Sequence, residues 1–545
     1  MIAPSVSRGP IAAAVLAVSF LTVALVSRLP FRDTTLFISD SVRYALALEH
    51  YDMTLGRPHP PGNPLYIGAV AILDRFIGDE IFSFALLSAL MSGLAFLFAY
   101  LLGRDLAGET AGLLAAGILI VSPLFWYFGG LAMPSTAEAA LSLVVAWLAR
   151  RARAPHQLKA FWALTLLLAI GYGLRSTFVV LVFPLWIYAS WWHPKKRILL
   201  GALVLGGAAL GWTAIIAGLS GGWRAYQQTS AAFFSDVVIA TKIFSGGLAK
   251  IPRQIVDIGI SAVLGLGLFL VPCAVGVYLC VKRRGPFPGA NLFLGAWVLP
   301  ALVFHAAYDW APRFGVMLLP PAAILAATTA VPLARRLLEG RLFTALSDDA
   351  SPMPHALVLF ALAVNLAIFL LPVNVGPFTL PEQFPSGPRL LARNEDLARR
   401  DAQIRHSLDP ESTVILAYPH TFHVAYFLPE YRVVGLFPAF QQTPDSWVPS
   451  AYSRKFSFEP DSAAISPTDP IKLPKQIEQV LLYDSDYLGF WPDEEAPLTD
   501  FPYDVTRELK LANVPEGACI DFDYRVIHFT TERAGYCGAP RQEKR

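Results

Sequence analysis

A few ionisable side chains stand out in a chain that carries little charge. Asp40 lies in Ser39-Asp40-Ser41-Val42-Arg43-Tyr44-Ala45-Leu46-Ala47-Leu48-Glu49-His50, a stretch that reads as a short helix with Ser39 or Asp40 at its start. A carboxylate there feels the positive end of the helix, which favours its ionised form, so Asp40 could accept a proton. A helix-capping aspartate would look the same in sequence. Arg313, between Pro312 and Phe314, and Arg175, in Gly173-Leu174-Arg175-Ser176, are permanent cations whose planar fork can grip two phosphate oxygens. Each could instead be an interfacial or snorkelling anchor. His59 could contact a phosphate, ligate a metal or brace the turn around it. Glu138 falls in an apolar run, where a carboxylate is unfavourable unless it faces a polar cavity. It therefore reads as a positioning group.

His59 belongs to Arg57-Pro58-His59-Pro60-Pro61-Gly62-Asn63-Pro64-Leu65-Tyr66. The prolines forbid helix through residue 61, Gly62 permits a turn, and Asn63-Pro64 reads as a cap with proline at the first helical position. The helix that follows, over 64–77, is about 21 Å long at 1.5 Å per residue. That is too short to span a bilayer, and it is expected to lie along the surface.

The elements that hold these groups are read from composition. The chain has 545 residues, of which 55% are hydrophobic and 15% charged, with a mean hydropathy of +0.49. Soluble chains carry about 25% charged residues, so a soluble globular enzyme is excluded as the leading class. Apolar runs near 11–29, 81–102, 110–128, 135–149, 159–172, 177–192, 198–217, 254–281, 290–308, 313–333 and 355–373 give about eleven transmembrane helices. The connections fall into two sets. One carries Arg104, Arg150-Arg151-Ala152-Arg153, Lys195-Lys196-Arg197, Lys282-Arg283-Arg284 and Arg335-Arg336, which marks the cytoplasmic face. The other holds residues 30–80, the turns near 129–134 and 173–176, and Asp309 to Arg313. It is expected to be external, so Asp40, His59, Glu138, Arg175 and Arg313 all fall on one membrane face, which favours a single site. The first apolar run is kept as a span with a cytoplasmic N-terminus, because no cleavage site follows it.

From residue 374 the composition changes. Residues 374–545 hold 17 Lys and Arg against 25 Asp and Glu, whereas residues 1–373 hold 26 against 16. The expected division is a transmembrane domain, 1–373, and an extracytoplasmic α/β domain, 374–545, with a polar helix near 387–406 and short β-rich runs. Cys519 and Cys537 could pair there in an oxidising compartment. His420 and His423 read as loop residues rather than metal ligands. Asn-x-Ser/Thr is absent, which favours a bacterial inner membrane and a periplasmic location for this domain.

The external Asp-Ser followed by His-Pro-Pro-Gly-x-Pro-Leu-Tyr resembles the membrane glycosyltransferases of the GT-C fold, and among them the protein O-mannosyltransferase-like branch. Ser122-Pro123-Leu124-Phe125-Trp126, Ala132-Met133-Pro134 with Glu138, Gly171 to Pro184, and Arg313 leading into Leu318-Leu319-Pro320 are similar to later spans of that superfamily. The resemblance covers roughly residues 10–335. It implies an α-helical polytopic enzyme that moves a sugar, mannosyltransferase-like, from a polyprenyl-phosphate carrier to an acceptor hydroxyl on a protein, lipid or polysaccharide. On that reading Asp40 is the catalytic base. Arg313, Arg175 and His59 meet the donor phosphate, and Glu138 and Tyr66 position the loop or acceptor. Many relatives have a second acid after Asp-Ser; here Glu49 or Asp52 could take its place. Asn63 stands where that branch usually has an aromatic residue.

Asp40, Asp52, His59 and Glu138 could in principle meet around a divalent metal, but no tight ligand spacing announces a metal site, and no cofactor is assigned. No glycine-rich phosphate loop is present, so a soluble nucleotide-sugar donor is not expected, nor is a nucleic-acid partner. Membrane lipid is the remaining expected partner. The competing readings are a transporter or flippase for a lipid-linked sugar and a non-catalytic GT-C-fold scaffold.

Overall fold

The computed structural model describes residues 10–234, 251–308, 312–338, 353–371, 374–375, 378–379, 386–417, 420–438, 447–451, 471–484, 491–492, 499–502, 508–523 and 526–531. Contacts divide the chain into two units, Met1–Thr34 with Ala47–Ala392, and Thr35–Leu46 with Arg393–Arg545.

The described residues of the eleven apolar runs fall mainly on helices. In chain order the first unit contains α1 (Pro10–Arg28), the end of α2 (Ser39–Glu49), α3 (Pro64–Ile77), α4 (Glu80–Ala107), α5 (Glu109–Val121), α6 (Pro123–Phe128), α7 (Ser135–Ala152), α8 (Leu158–Leu174) and α9 (Ser176–Ser190). It continues with α10 (Lys195–Leu219), α11 (Trp223–Phe233), α12 (Ile251–Leu266), α13 (Leu270–Val281), α14 (Ala290–Tyr308), α15 (Pro312–Leu338) and α16 (Met353–Leu370). Among the described residues, seven helical segments are long and apolar enough to cross a membrane, and α5, α8 and α9 are shorter apolar helices.

Two runs that read as single spans are broken, each for a local reason. Between α5 and α6 the Ser122 hydroxyl accepts from Phe125 N at 3.2 Å and Pro123 takes the first helical position. Between α12 and α13 Gly267 adopts φ +53° and opens a 3₁₀ turn. Fully buried Asn365 on α16 satisfies that break, donating to Leu266 O at 2.8 Å and accepting from Leu268 N at 3.4 Å. Backbone groups freed inside an apolar bundle need such a partner.

α15 is the axis of the bundle, packing on α4, α5, α7, α13 and α16 and buried along most of its length. α4 and α5 approach closely through Gly103 and Gly112, where an added Cβ at Gly112 would lie 2.6 Å from Tyr100 O. The entry to the 30–80 loop is fixed by Arg28 at the end of α1. Its guanidinium donates to Leu119 O and Ile120 O at 3.3 and 2.9 Å and lies 4.6 Å from the Trp126 ring centroid. Two residues into the loop's extended part, Asp33 N donates to Gly130 O at 3.0 Å.

In the second unit a six-stranded mixed sheet is built from β3 (Thr413–Ala417), β4 (Arg432–Pro438), β5 (Trp447–Ala451), β7 (Gln479–Leu482), β9 (Thr499–Asp500) and β10 (Lys510–Asn513), in the order β5-β4-β3-β7-β10-β9. β3 pairs in parallel with β4 and β7 and is buried at every position, as a central strand covered on both faces must be. β6 (Ile471–Lys472), β8 (Trp491–Pro492), β11 (Ala518–Asp523) and β12 (Val526–Thr531) form a second sheet in the order β6-β11-β12-β8. A short pair, β1 (Asn374–Val375) and β2 (Phe378–Thr379), belongs to the first unit. Leu397 and Ile404 of α17 (Gly387–Ser407) and Val424 of α18 (Thr421–Phe427) pack with Ile415, Leu481 and Tyr483 in the core of this unit, and Phe37 packs against that core. Cys519 is disulfide-bonded; Cys537, its expected partner, lies outside the described residues.

Candidate functional site

In the first unit two of the singled-out charges, Arg175 and Arg313, face one aromatic ring, and a third, Glu138, pairs with Arg175. Glu138 sits in the first turn of α7, 6% exposed, and accepts from Arg175 Nη1 at 3.1 Å. Arg175 is the single residue that separates α8 from α9, in extended conformation at φ −166°, so its side chain leaves a junction and not the middle of a helix. Its guanidinium carbon lies 5.8 Å from the Phe314 ring centroid. Arg313, at the start of α15, lies 5.0 Å from the same ring. The far partner of that ring is His305 on α14, stacked on Phe314 at 4.3 Å with an interplanar angle of 18°. Two guanidiniums rest against one buried aromatic ring, and the Glu138 carboxylate pairs with one of them; forks of this kind can grip an oxyanion.

The proline-rich turn reaches this cluster through Asn63. Asn63 does not cap α3 with its side chain as the sequence suggests. It takes a left-handed backbone conformation at φ +48°, and its Nδ2 donates 2.9 Å to Leu174 O, the carbonyl just before Arg175. The turn itself is held by Tyr51, whose hydroxyl donates to Gly62 O at 2.8 Å. Burial, with Tyr226 adding to it, pushes the Tyr51 phenol well above its ordinary range, so it remains a donor. Gly62, at φ +100°, has no room for a side chain: an added Cβ would lie 2.4 Å from Tyr51 Oη.

The other loop residues serve local contacts. His59 is half-buried with its ring 5.8 Å from that of Phe233. Asp52 caps the 3₁₀ turn Met53–Leu55, accepting from Thr54 N at 2.8 Å and Thr54 Oγ1 at 2.7 Å. Tyr66 is buried in α3 with its ring 5.7 Å from Phe84, and Glu49 is exposed at the end of α2. Among the described residues no three His, Cys, Asp or Glu gather as metal ligands. Asp309 lies outside the described residues.

Asp40 belongs to the second unit. It lies half-buried in the first turn of α2, where Ile38 O accepts from Ser41 N and Val42 N at 2.9 and 3.3 Å. The segment that carries it is fastened within this unit. His423 Nδ1 contacts Thr35 O at 2.6 Å and Nε2 contacts Asp401 Oδ2 at 3.0 Å, while Tyr483 donates to Asp401 Oδ1 at 3.0 Å. Thr35 Oγ1 meets Asn394 Oδ1 at 3.1 Å, and Arg43 lies 4.1 Å from the Phe422 ring. His423 is therefore a buried, carboxylate-paired residue of α18 and not a loop residue. His420, beside it, pairs with Asp484 at 2.8 Å.

Residues 58–220 match the dolichyl-phosphate-mannose-protein mannosyltransferase family. The fold is similar to that of ArnT from Cupriavidus metallidurans in crystal structures of its undecaprenyl-phosphate-bound and apo states. The TM-scores are 0.56 and 0.55 at 14% identity, over 92% of this chain and 98% of that one. The chain has the GT-C glycosyltransferase fold. A cryo-EM structure of the arabinofuranosyltransferase AftD from Mycobacteria matches at TM-score 0.42 and 13% identity, over 93% of this chain and 40% of that one. No curated protein matches by sequence. Within this GT-C bundle, His305 and Phe314 are the site neighbours that sequence reading passed over. A histidine in an apolar run eight residues before an arginine was the available signal.

Proposed function

We propose that this protein transfers a sugar from a polyprenyl-phosphate carrier to an acceptor hydroxyl on the extracytoplasmic face of a bacterial inner membrane. The observation that carries the reading is the Glu138-Arg175-Phe314-Arg313 cluster, in which two guanidiniums gather on one ring inside a GT-C bundle. The undecaprenyl phosphate bound by ArnT, a protein of similar fold, supports a lipid phosphate as its ligand.

In the transfer, the acceptor oxygen attacks the anomeric carbon and its proton passes to the Asp40 carboxylate. The bond from the anomeric carbon to the phosphate oxygen breaks, and the electron pair leaves on the phosphate. That leaving group needs compensation of charge, which Arg313 and Arg175 supply, and Glu138 keeps the second guanidinium aimed. His59 adds a phosphate contact, and Tyr66, Asp52 and Glu49 hold the loop that presents it. The basic loops support an N-terminus in the cytoplasm and a second unit in the periplasm.

The test is incubation of membranes holding the wild type or Asp40→Asn with labelled polyprenyl-phosphate sugars, followed by analysis of what becomes labelled. A positioned base supplies about 10² to 10⁴-fold, so the variant is expected to lose at least two decades of transfer. Full transfer by Asp40→Asn would remove Asp40 as the base. Absence of incorporation by the wild type with every polyprenyl-phosphate sugar would overturn the proposed activity.

A further inference from the structure

The opposite, basic end of the bundle holds a pair of arginines with no carboxylate partner among the described residues. Arg150, in the last turn of α7, and Arg153, its C-cap, both place Nη1 3.3 Å from the hydroxyl of Tyr188 on α9. The neighbouring Arg151 is different, since it is paired with Asp105 at 3.0 Å. Beyond Tyr188, Arg150 Nη1 reaches only Pro288 O, at 3.4 Å, and its guanidinium faces the rings of Phe293 and Phe287 at 5.5 and 6.0 Å. Arg153 faces Tyr188 and Trp192 at 5.2 and 5.7 Å.

Two like charges converging on one neutral oxygen repel each other, and a tyrosine oxygen with two lone pairs answers few of their ten N–H donors, leaving the rest to solvent or to an anion. A carboxylate or phosphate between them would relieve both deficits, and arginine forks fit it bidentately. Both cations border one spot. Gly289, at φ +74°, leaves a notch in which an added Cβ would lie 3.6 Å from Arg153 Nη1 and 3.9 Å from Arg150 Nη1. Gly289 O accepts from Phe293 N at 3.1 Å, which makes Gly289 the cap of α14, and the first turn of that helix has no acidic residue. The positive end of a helix thus adds to the two guanidiniums. Trp191 and Trp192, 73% and 55% exposed at the end of α9, are side chains of the kind that settle at headgroup level.

We propose that Arg150 and Arg153, with Tyr188 and the Gly289 notch, bind a phosphate oxyanion at the basic end of the bundle, that of an anionic lipid headgroup or of inorganic phosphate. This site is separate from the donor centre at Arg175 and Arg313 and is independent of the proposed transfer.

The test uses the purified full-length protein in neutral detergent, presented with vesicles of phosphatidylcholine alone or mixed with phosphatidylglycerol, and separately with inorganic phosphate. Bound lipid is read by native mass spectrometry and bound phosphate by thermal stabilisation. Arg150→Gln/Arg153→Gln is expected to lose about tenfold or more in affinity for phosphatidylglycerol, the loss that goes with removing charge-assisted bonds. Arg151→Gln is expected to behave as wild type. Competition of inorganic phosphate with phosphatidylglycerol supports a site open to both sources; loss of lipid alone supports the headgroup as its ligand. The single variants Arg153→Gln and Tyr188→Phe, each expected to weaken binding severalfold, serve if the double variant does not fold. Equal binding by the folded double variant and wild type would overturn the proposal, and so would an equal loss in Arg151→Gln, which would reduce the effect to unspecific surface charge.

Discussion

Replacing Glu138 isolates the contribution of the ion pair that aims Arg175. The pair is partly shielded, with side-chain exposures of 8% for Glu138 and 21% for Arg175 and a single bond of 3.1 Å. Breaking a fully buried pair costs about 3–5 kcal/mol, whereas a charge-assisted bond contributes about 1.5–3 kcal/mol. The residual exposure of Arg175 and its rest against Phe314 put this case near the lower figure, about 2 kcal/mol. If that energy holds Arg175 in its working rotamer, Glu138→Ala lowers kcat/KM for the lipid-linked donor about 30-fold, at about 1.4 kcal/mol per decade. Glu138→Gln keeps a neutral acceptor and loses about 1 kcal/mol, or about fivefold. The assay is initial-rate transfer from a labelled polyprenyl-phosphate sugar by protein in lipid nanodiscs, with Arg175→Gln and the double variant closing a cycle. The two single losses are expected to overlap, because each removes the same contact. A Glu138→Ala enzyme within about twofold of wild type, or single effects that add to within about 0.5 kcal/mol, would refute the coupling.

Asn63→Leu removes the donor to Leu174 O and forces a branched side chain into a left-handed backbone, so it is expected to cost about 2–4 kcal/mol, whereas Asn63→Gly loses the bond alone and about 1 kcal/mol; thermal melts of the two variants separate the terms. In the second unit burial pushes the Tyr431 phenol up to about 12, and the buried Tyr483 phenol also lies well above its ordinary range. Because both folded values are raised, stability is full below about pH 10 and falls as the pH rises toward about 12, where the unfolded chain ionises more readily. Near-UV circular dichroism across that range should show a loss of signal that Tyr431→Phe makes shallower.

Much of the bundle was legible because apolar runs and loop charge are properties of consecutive residues. The described residues of all eleven runs fall mainly on helices, and the expected helix over 64–77 is α3 with those bounds. Ser122-Pro123 is a local sign of the first break, whereas the groups that satisfy the second, at Gly267, come from Asn365, almost a hundred residues away. The site divides the same way. Residue type pointed to Arg175, Arg313 and Glu138, and the bundle sets both arginines against Phe314 with Glu138 paired to Arg175. The stacking of His305 on that ring and the role of Asn63 as a strut to Leu174 depend on long-range packing, of which the histidine in an apolar run is the one local sign. Composition marks a change after residue 374, whereas contacts begin the second unit at Arg393 and add Thr35–Leu46 to it, because Phe37 and the Thr35 carbonyl meet partners encoded much later.

That late meeting has a consequence for biosynthesis. His423 and Asn394, which fasten Thr35, leave the ribosome roughly 350 residues after the segment they hold. At about 5–20 residues per second, the stretch bearing Asp40 waits on the order of 20–70 s without its native neighbours while the spans between are inserted. A nascent chain stopped before Arg393 would hold the membrane-length helices found among the described residues yet lack the partners of Thr35–Leu46, so the last quarter of translation decides when that segment becomes ordered.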